Sequence, residues 1–112
     1  MKILVTGGTG VIGAGVIPEL IAHGHEVAVL SRHADEDAGR WNGVAAVTGD
    51  ISDPASLRSA LASFDAIVHI AGIAAENPPE ATFQRVNIDG TRNVVDEATR
   101  AGVRRFVYMS SL

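Results

Sequence analysis

The sequence contains no cysteine, so neither a disulfide nor a thiolate-bound metal is open to it. Lysine is almost missing as well: Lys2 is the only one, and apart from Arg104-Arg105 the arginines are scattered. With a formal net charge of −4, no basic face is available for nucleic acid or an anionic membrane surface. No apolar run approaches the length of a bilayer span. The N-terminus runs straight into a strand pattern, without a charged leader followed by a long apolar segment. The expectation is a cytoplasmic protein. Four histidines are present (His23, His25, His33, His69), but none forms a His-x-x-x-His helical pair or stands beside a carboxylate cluster. No metal site is expected from them.

What the sequence does have is glycine in a telling place. Ile3-Leu4-Val5 is a short apolar run, and Thr6-Gly7-Gly8-Thr9-Gly10-Val11-Ile12-Gly13 follows it directly. A helical pattern over Ile12–His23 comes next. Gly7 can take the positive φ of a sharp turn, Gly10 keeps a Cβ away from an approaching ligand, and Gly13 lets the helix pack closely. The first turn of that helix then offers unpaired N–H groups and a partial positive charge to an anion. A nucleotide pyrophosphate needs this combination. The spacing Gly-x-x-Gly-x-x-Gly differs from the commoner Gly-x-Gly-x-x-Gly, so the reading leans on the strand before and the helix after.

The chain is 112 residues long with 46% hydrophobic and 20% charged residues, which suits one globular domain over residues 1–112. Apolar runs without alternation mark buried parallel strands at Lys2–Val5, Glu26–Leu30, Val44–Val47, Ala66–Ile70 and Phe106–Met109. Between them, the polar stretch Ala34–Gly43 reads as a loop. Asp53-Pro54 reads as an N-cap and first helical residue of a helix through Leu57 and Leu61, ending near Ser63. A long helix is expected over about 80–101, closed by Gly102. Pro18 inside the first helix is expected to bend it. Strands alternating with helices give an α/β fold with a parallel sheet, and right-handed crossovers give the order 3-2-1-4-5. Ligands in such sheets sit beyond the strand C-termini at the switch point. Gly7–Gly13, Ser31-Arg32, Asp50-Ile51, Ala71-Gly72 and Ser110-Ser111 all fall on that edge.

These residues resemble the short-chain dehydrogenase/reductase superfamily, in its extended or atypical branch of NAD-dependent epimerase/dehydratase-like proteins. Thr6–Gly13 is similar to that family's Thr-Gly-x-x-Gly-x-x-Gly turn, and Gly49-Asp50-Ile51-Ser52-Asp53 to its adenine-side motif. His69-Ile70-Ala71-Gly72 matches the segment passing the nicotinamide ribose. Asn87-Ile88-Asp89-Gly90-Thr91-Arg92-Asn93 resembles the Asn-x-x-Gly-Thr-x-Asn helix motif, and Phe106–Ser111 the strand carrying the catalytic serine. The resemblance implies a Rossmann-type fold truncated after strand 5. It implies cofactor contacts at Gly7, Thr9, Gly10, Val11, Ile12, Gly13, Ser31, Arg32, Asp50, Ile51, Ala71, Gly72 and Asn87, with Ser111 as the catalytic serine. Asp50 is read as meeting the adenine amine or as an ordinary loop carboxylate. Asn87 is read as bridging strands 4 and 5 near the site or as a structural amide.

The family's chemistry also uses a tyrosine as acid or base and a lysine four residues on. Tyr108 is the only tyrosine; it lies inside strand 5, and no lysine follows it. Two expectations follow. The chain is the NAD(P)-binding part of a longer oxidoreductase or epimerase acting by hydride transfer on a hydroxyl or carbonyl, such as a nucleotide sugar. Alternatively it is a non-catalytic NADP-binding sensor or regulatory module of the same fold. For cofactor identity, an acid at the end of strand 2 would favour NAD. Ser31-Arg32-His33 stands there instead, with no carboxylate until Asp35. A guanidinium suits a 2′-phosphate, so NADP is expected over NAD. The expected partners are a small-molecule substrate and a second copy of the chain paired through the open edge of strand 5.

Overall fold

The computed structural model describes residues 1–8, 10–70, 78 and 82–109. Five parallel strands, β1 (Lys2–Thr6), β2 (Glu26–Ser31), β3 (Ala45–Thr48), β4 (Ala66–His69) and β5 (Arg105–Tyr108), form one sheet. Their order is β3-β2-β1-β4-β5, the expected one. Register aligns Thr6 with Leu30 and His69, Ser31 with Thr48, and His69 with Tyr108. The strand C-termini therefore make one edge, and the ends of β1, β2 and β4 carry Thr6, Ser31 and His69.

Alternation along the strands feeds two cores, one on each face. Leu4, Ala28, Leu30 and Ile67 point to one side and meet Leu57, Leu61, Phe64, Val94 and Ala98. Ile3, Val5, Val27, Val29 and Ala66 point to the other and meet Ile17 and Ala38, with Trp41 packed against this cluster. A sheet buried on both faces needs apolar residues at every strand position. That explains why β1, β2 and β4 read as continuous apolar runs.

The helices are α1 (Val11–Ala22), α2 (Ala34–Ala38), α3 (Pro54–Leu57) and α4 (Thr91–Ala101). α1 runs through Pro18 as one helix. Three elements differ from expectation. The stretch read as a loop contains α2, whose Ala34 and Ala38 are both buried. Five residues carry only one i, i+4 apolar pair, and two alanines leave a faint signal.

α3 ends at Leu57, well short of Ser63, because the chain leaves helical geometry at Arg58 and turns left-handed at Ser59, φ 65°. Leu57 and Leu61 are both fully buried, so their spacing reports burial on one side and not a continuous helix. The Ser59 N–H donates to Glu97 Oε1 on α4 at 3.1 Å, which gives this non-helical backbone a partner.

The long helix is also not uniform. Residues Phe83–Gly90 wind in wider π-type turns, capped by Thr82 Oγ1 accepting from the Arg85 N–H at 3.1 Å. α geometry begins at Thr91 and ends at Gly102, φ 74°. The switch falls at Gly90, where a Cβ would stand 2.8 Å from Ile51 Cδ1. A close approach to Ile51 thus excludes a side chain at that turn.

Candidate active site

The turn after β1 is shaped by backbone. Gly7 adopts φ 74°, a conformation that side chains with a Cβ resist. The Gly10 N–H returns to the Gly7 carbonyl at 3.3 Å, and Gly10 itself is extended, leading into α1. A Cβ at Gly13 would lie 2.5 Å from both Gly7 O and Gly8 Cα. No larger residue fits there without moving the turn. The Gly10 carbonyl accepts from Ala14 at 2.9 Å, so the first intrahelical bond is in place. Gly10, the N-cap, has no side chain with which to cap the helix start, and the first turn carries no acidic residue. The leading N–H groups of α1, those of Val11, Ile12 and Gly13, have no partner within the helix and stand beside a turn that only glycine permits, a geometry suited to an anion.

At the end of β2 the geometry belongs to side chains. Ser31 Oγ donates to Asp37 Oδ2 at 2.6 Å, in a half-buried setting. Arg32 is exposed. The loop after β3 is fixed by hydrogen bonds of its own: Asp50 Oδ1 accepts from the Ser52 N–H at 2.9 Å and the Ser52 hydroxyl at 2.7 Å. Burial alone would raise the Asp50 pKa. The two Ser52 bonds and the guanidiniums of Arg32 and Arg85 outweigh it and hold the carboxyl below its ordinary value. Ile51 is buried, and its carbonyl accepts from Asn93 Nδ2 at 2.7 Å. Asn93 therefore ties α4 to the loop after β3.

At the end of β4 lies a buried polar network. His69 is fully buried, with Nδ1 2.6 Å from Thr6 Oγ1 and Nε2 3.0 Å from Thr91 Oγ1. A neutral imidazole has one donor and one acceptor, and a hydroxyl can meet either. β1, β4 and α4 are joined through one ring. Tyr108 of β5 stacks on it at 5.7 Å between centroids, and Phe106 approaches at 6.2 Å. Burial pulls the His69 pKa down to about 4, so the ring is neutral near pH 7.

Of the residues expected at the site, Gly7, Gly10, Ile12 and Gly13 lie together at the turn, with the Val11 backbone beginning α1. Ser31, Arg32, Asp50 and Ile51 lie on the same sheet edge, after β2 and β3. Asn87 is half-buried in the π-helical segment. Thr9, Ala71, Gly72 and Ser111 lie outside the described residues, as does the side chain of Val11. His69 is expected near the site only as a member of the His69-Ile70-Ala71-Gly72 segment, and the expected site residues do not include Asp37, Thr91 and Asn93. The last two stand inside the quoted Asn-x-x-Gly-Thr-x-Asn motif, and their spacing was a usable signal. Asp37 gave none, since its partner is six residues away across a turn. Among the described residues no helix is long and apolar enough to cross a membrane.

Comparison with known proteins agrees with this architecture. The chain is 35% identical over 118 residues to a 3-beta-hydroxysteroid dehydrogenase of Mycolicibacterium neoaurum, covering 98% of this chain and 32% of that protein. The structure of the enzyme WbmG of Bordetella bronchiseptica in complex with NAD superposes with a TM-score of 0.80 at 31% identity, over 96% of this chain and 36% of that one. A short-chain dehydrogenase/reductase superfamily protein of Agrobacterium tumefaciens with bound NAD gives 0.80 at 32%, over 99% and 33%. The chain spans between 12% and 34% of the length of the curated relatives it matches. A model of the NAD dependent epimerase/dehydratase family matches residues 3–112. With that match over almost its whole length, and with this sheet order and glycine turn, the chain belongs to the NAD-dependent epimerase/dehydratase family.

Proposed function

We propose that this chain is the NAD(P)-binding portion of an oxidoreductase or epimerase-type enzyme that acts by hydride transfer on a hydroxyl or carbonyl substrate. The observation that carries the reading is the start of α1, with a glycine as its N-cap, behind a turn that tolerates no Cβ at Gly13. A bound dinucleotide would supply the hydride-accepting or hydride-donating ring. The residues of this chain would hold it: the α1 N–H groups take the pyrophosphate, and Asp50 and Ile51 flank the adenine. Thr9, Ala71, Gly72 and Asn87 are assigned to the cofactor and Ser111 to the substrate oxygen by family resemblance. A nucleotide sugar is a substrate class supported by WbmG, whose structure has also been determined with NAD and UDP. The partner expected is a small molecule, with no nucleic acid and no membrane surface.

The expectation of NADP over NAD rests on Arg32, whose charge bears on Asp50. The solved relatives with NAD support the other cofactor. Calorimetric titration of the intact protein with each dinucleotide tests the reading. Binding of at least one, at a single site, is the expected result, and binding of neither contradicts it.

A second reading is a non-catalytic binding module. The only tyrosine of the chain, Tyr108, stacks on His69 within the sheet, which favours a packing role for it. A protein that binds the reduced cofactor yet never oxidises it with carbonyl acceptors would fit the module and contradict the enzyme.

A further inference from the structure

The end of β2 holds a carboxylate that its sequence neighbours do not reveal. Resting on the dinucleotide reading above, we infer that Asp37, held by Ser31, is the residue that selects NAD over NADP. Ser31 is the last residue of β2, and its hydroxyl donates to Asp37 Oδ2 at 2.6 Å. A hydroxyl has one proton, so this one is committed to Asp37 and cannot be given to a phosphate. The carboxylate keeps most of its acceptor sites. A ribose 2′-hydroxyl can donate to them, whereas a 2′-phosphate meets a fixed negative charge.

Both partners are held from behind. The Ser31 carbonyl accepts from Gly49 N–H at 3.0 Å, and Asp37 N–H donates to the His33 carbonyl at 3.0 Å. Ala34 and Ala38 bury one side of α2, which keeps Asp37 half-buried while Asp35 and Glu36 are exposed. Among the described residues no arginine or lysine lies within ion-pair distance of Asp37, so its charge is not cancelled by a direct partner. Arg32, the residue on which NADP was expected, is exposed and acts on Asp50. The missing acid at the end of β2 is therefore supplied six residues later.

The test is calorimetric titration of the intact protein and its variants with NAD and NADP, with far-ultraviolet dichroism to confirm folding. The wild type is expected to bind NAD more tightly than NADP. Asp37→Asn removes the charge at nearly constant shape and should lower the NAD:NADP affinity ratio on the order of tenfold, the scale of a charged hydrogen bond. Ser31→Ala loosens the carboxylate and should lower the ratio a few-fold by the same reasoning. Asp35→Asn, on the exposed side of the same helix, should leave it unchanged. A wild type that prefers NADP, or an Asp37→Asn ratio equal to that of the wild type, overturns the inference. Should Asp37→Asn fail to fold, Ser31→Ala decides in its place, and an unchanged ratio there overturns it. Loss of both cofactors in the wild type instead overturns the dinucleotide reading itself, an outcome distinct from binding with the wrong preference.

Discussion

The turn after β1 and the turn after β2 lie side by side on the same sheet edge, yet they are built from different material. After β1 the determinants are backbone: a positive φ at Gly7, and a contact at Gly13 that leaves no room for a Cβ. After β2 they are side chains, a hydroxyl and a carboxylate that find each other across six residues. In the proposed function, the backbone determinants would bind the feature common to all dinucleotides, the pyrophosphate. The side-chain determinants would address the ribose, where NAD and NADP differ. A site divided in this way can change cofactor by substitution at one turn while its anchor at the other stays fixed.

The division is broken most severely at Gly13. Gly13→Ala puts a methyl group 2.5 Å from Gly7 O and Gly8 Cα. Overpacking of this kind costs roughly 3 kcal/mol, read as a lower denaturation midpoint with an unchanged slope. Affinity for both cofactors should fall together. If only one falls, the turn is not the shared anchor.

A comparable effect is expected from pH, through the third part of the edge, at the end of β4. His69 is pulled from its ordinary 6.5 to about 4 by burial. Above pH 6.5 the ring is neutral in both folded and unfolded chains, and stability is at its full value. Between 6.5 and about 4 only the unfolded chain takes the proton, so stability falls as the pH is lowered, by on the order of 3 kcal/mol at most. Denaturation midpoints measured across that window should show the slope, and His69→Gln should flatten it. A midpoint that is already flat in the wild type would contradict a buried neutral ring. Asp50, whose carboxyl is held below its ordinary value, adds a loss only at lower pH, as pH falls through its folded-state pKa.

Asn93→Ala removes the bond to the Ile51 carbonyl and should cost about 1 kcal/mol, with faster hydrogen exchange in residues 50–53. Exchange unchanged from wild type would show that α4 does not hold this loop. The smallest effect is expected at β5, whose outer edge is open among the described residues, with Val107 and Tyr108 each 49% exposed. A second copy pairing along it would appear as a concentration-dependent mass in light scattering, removed by Val107→Lys. A constant monomer mass contradicts this pairing.

How legible the chain was follows the same division. Strand order, the glycine turn and the Gly102 cap could be read because each is fixed by residues adjacent in sequence or by an unbroken apolar run. The extent of α3 could not, since Leu57 and Leu61 are buried alike whether the backbone between them is a helix or a turn made possible by Glu97 receiving the Ser59 N–H. α2 escaped notice because its buried face is two alanines. At the site, Gly7, Gly10 and Gly13 announced themselves. Asp37 did not, because what matters about it is the hydroxyl it meets, and that meeting depends on how α2 folds back. Similarly, His69 carried no sequence sign that Thr6 and Thr91 would close on its two nitrogens.

If the start of α1 receives the pyrophosphate, amide resonances report it directly. In an ¹⁵N-labelled sample titrated with NAD, the amides of Gly10, Ile12, Gly13 and Ala14 should show the largest shifts, those near Ser31 and Asp37 smaller ones, and Gly102 none. Shifts centred elsewhere, for instance on Lys2, Ser63 and Phe64 at the opposite end of the strands, or no shifts at all, would contradict binding of the pyrophosphate at α1.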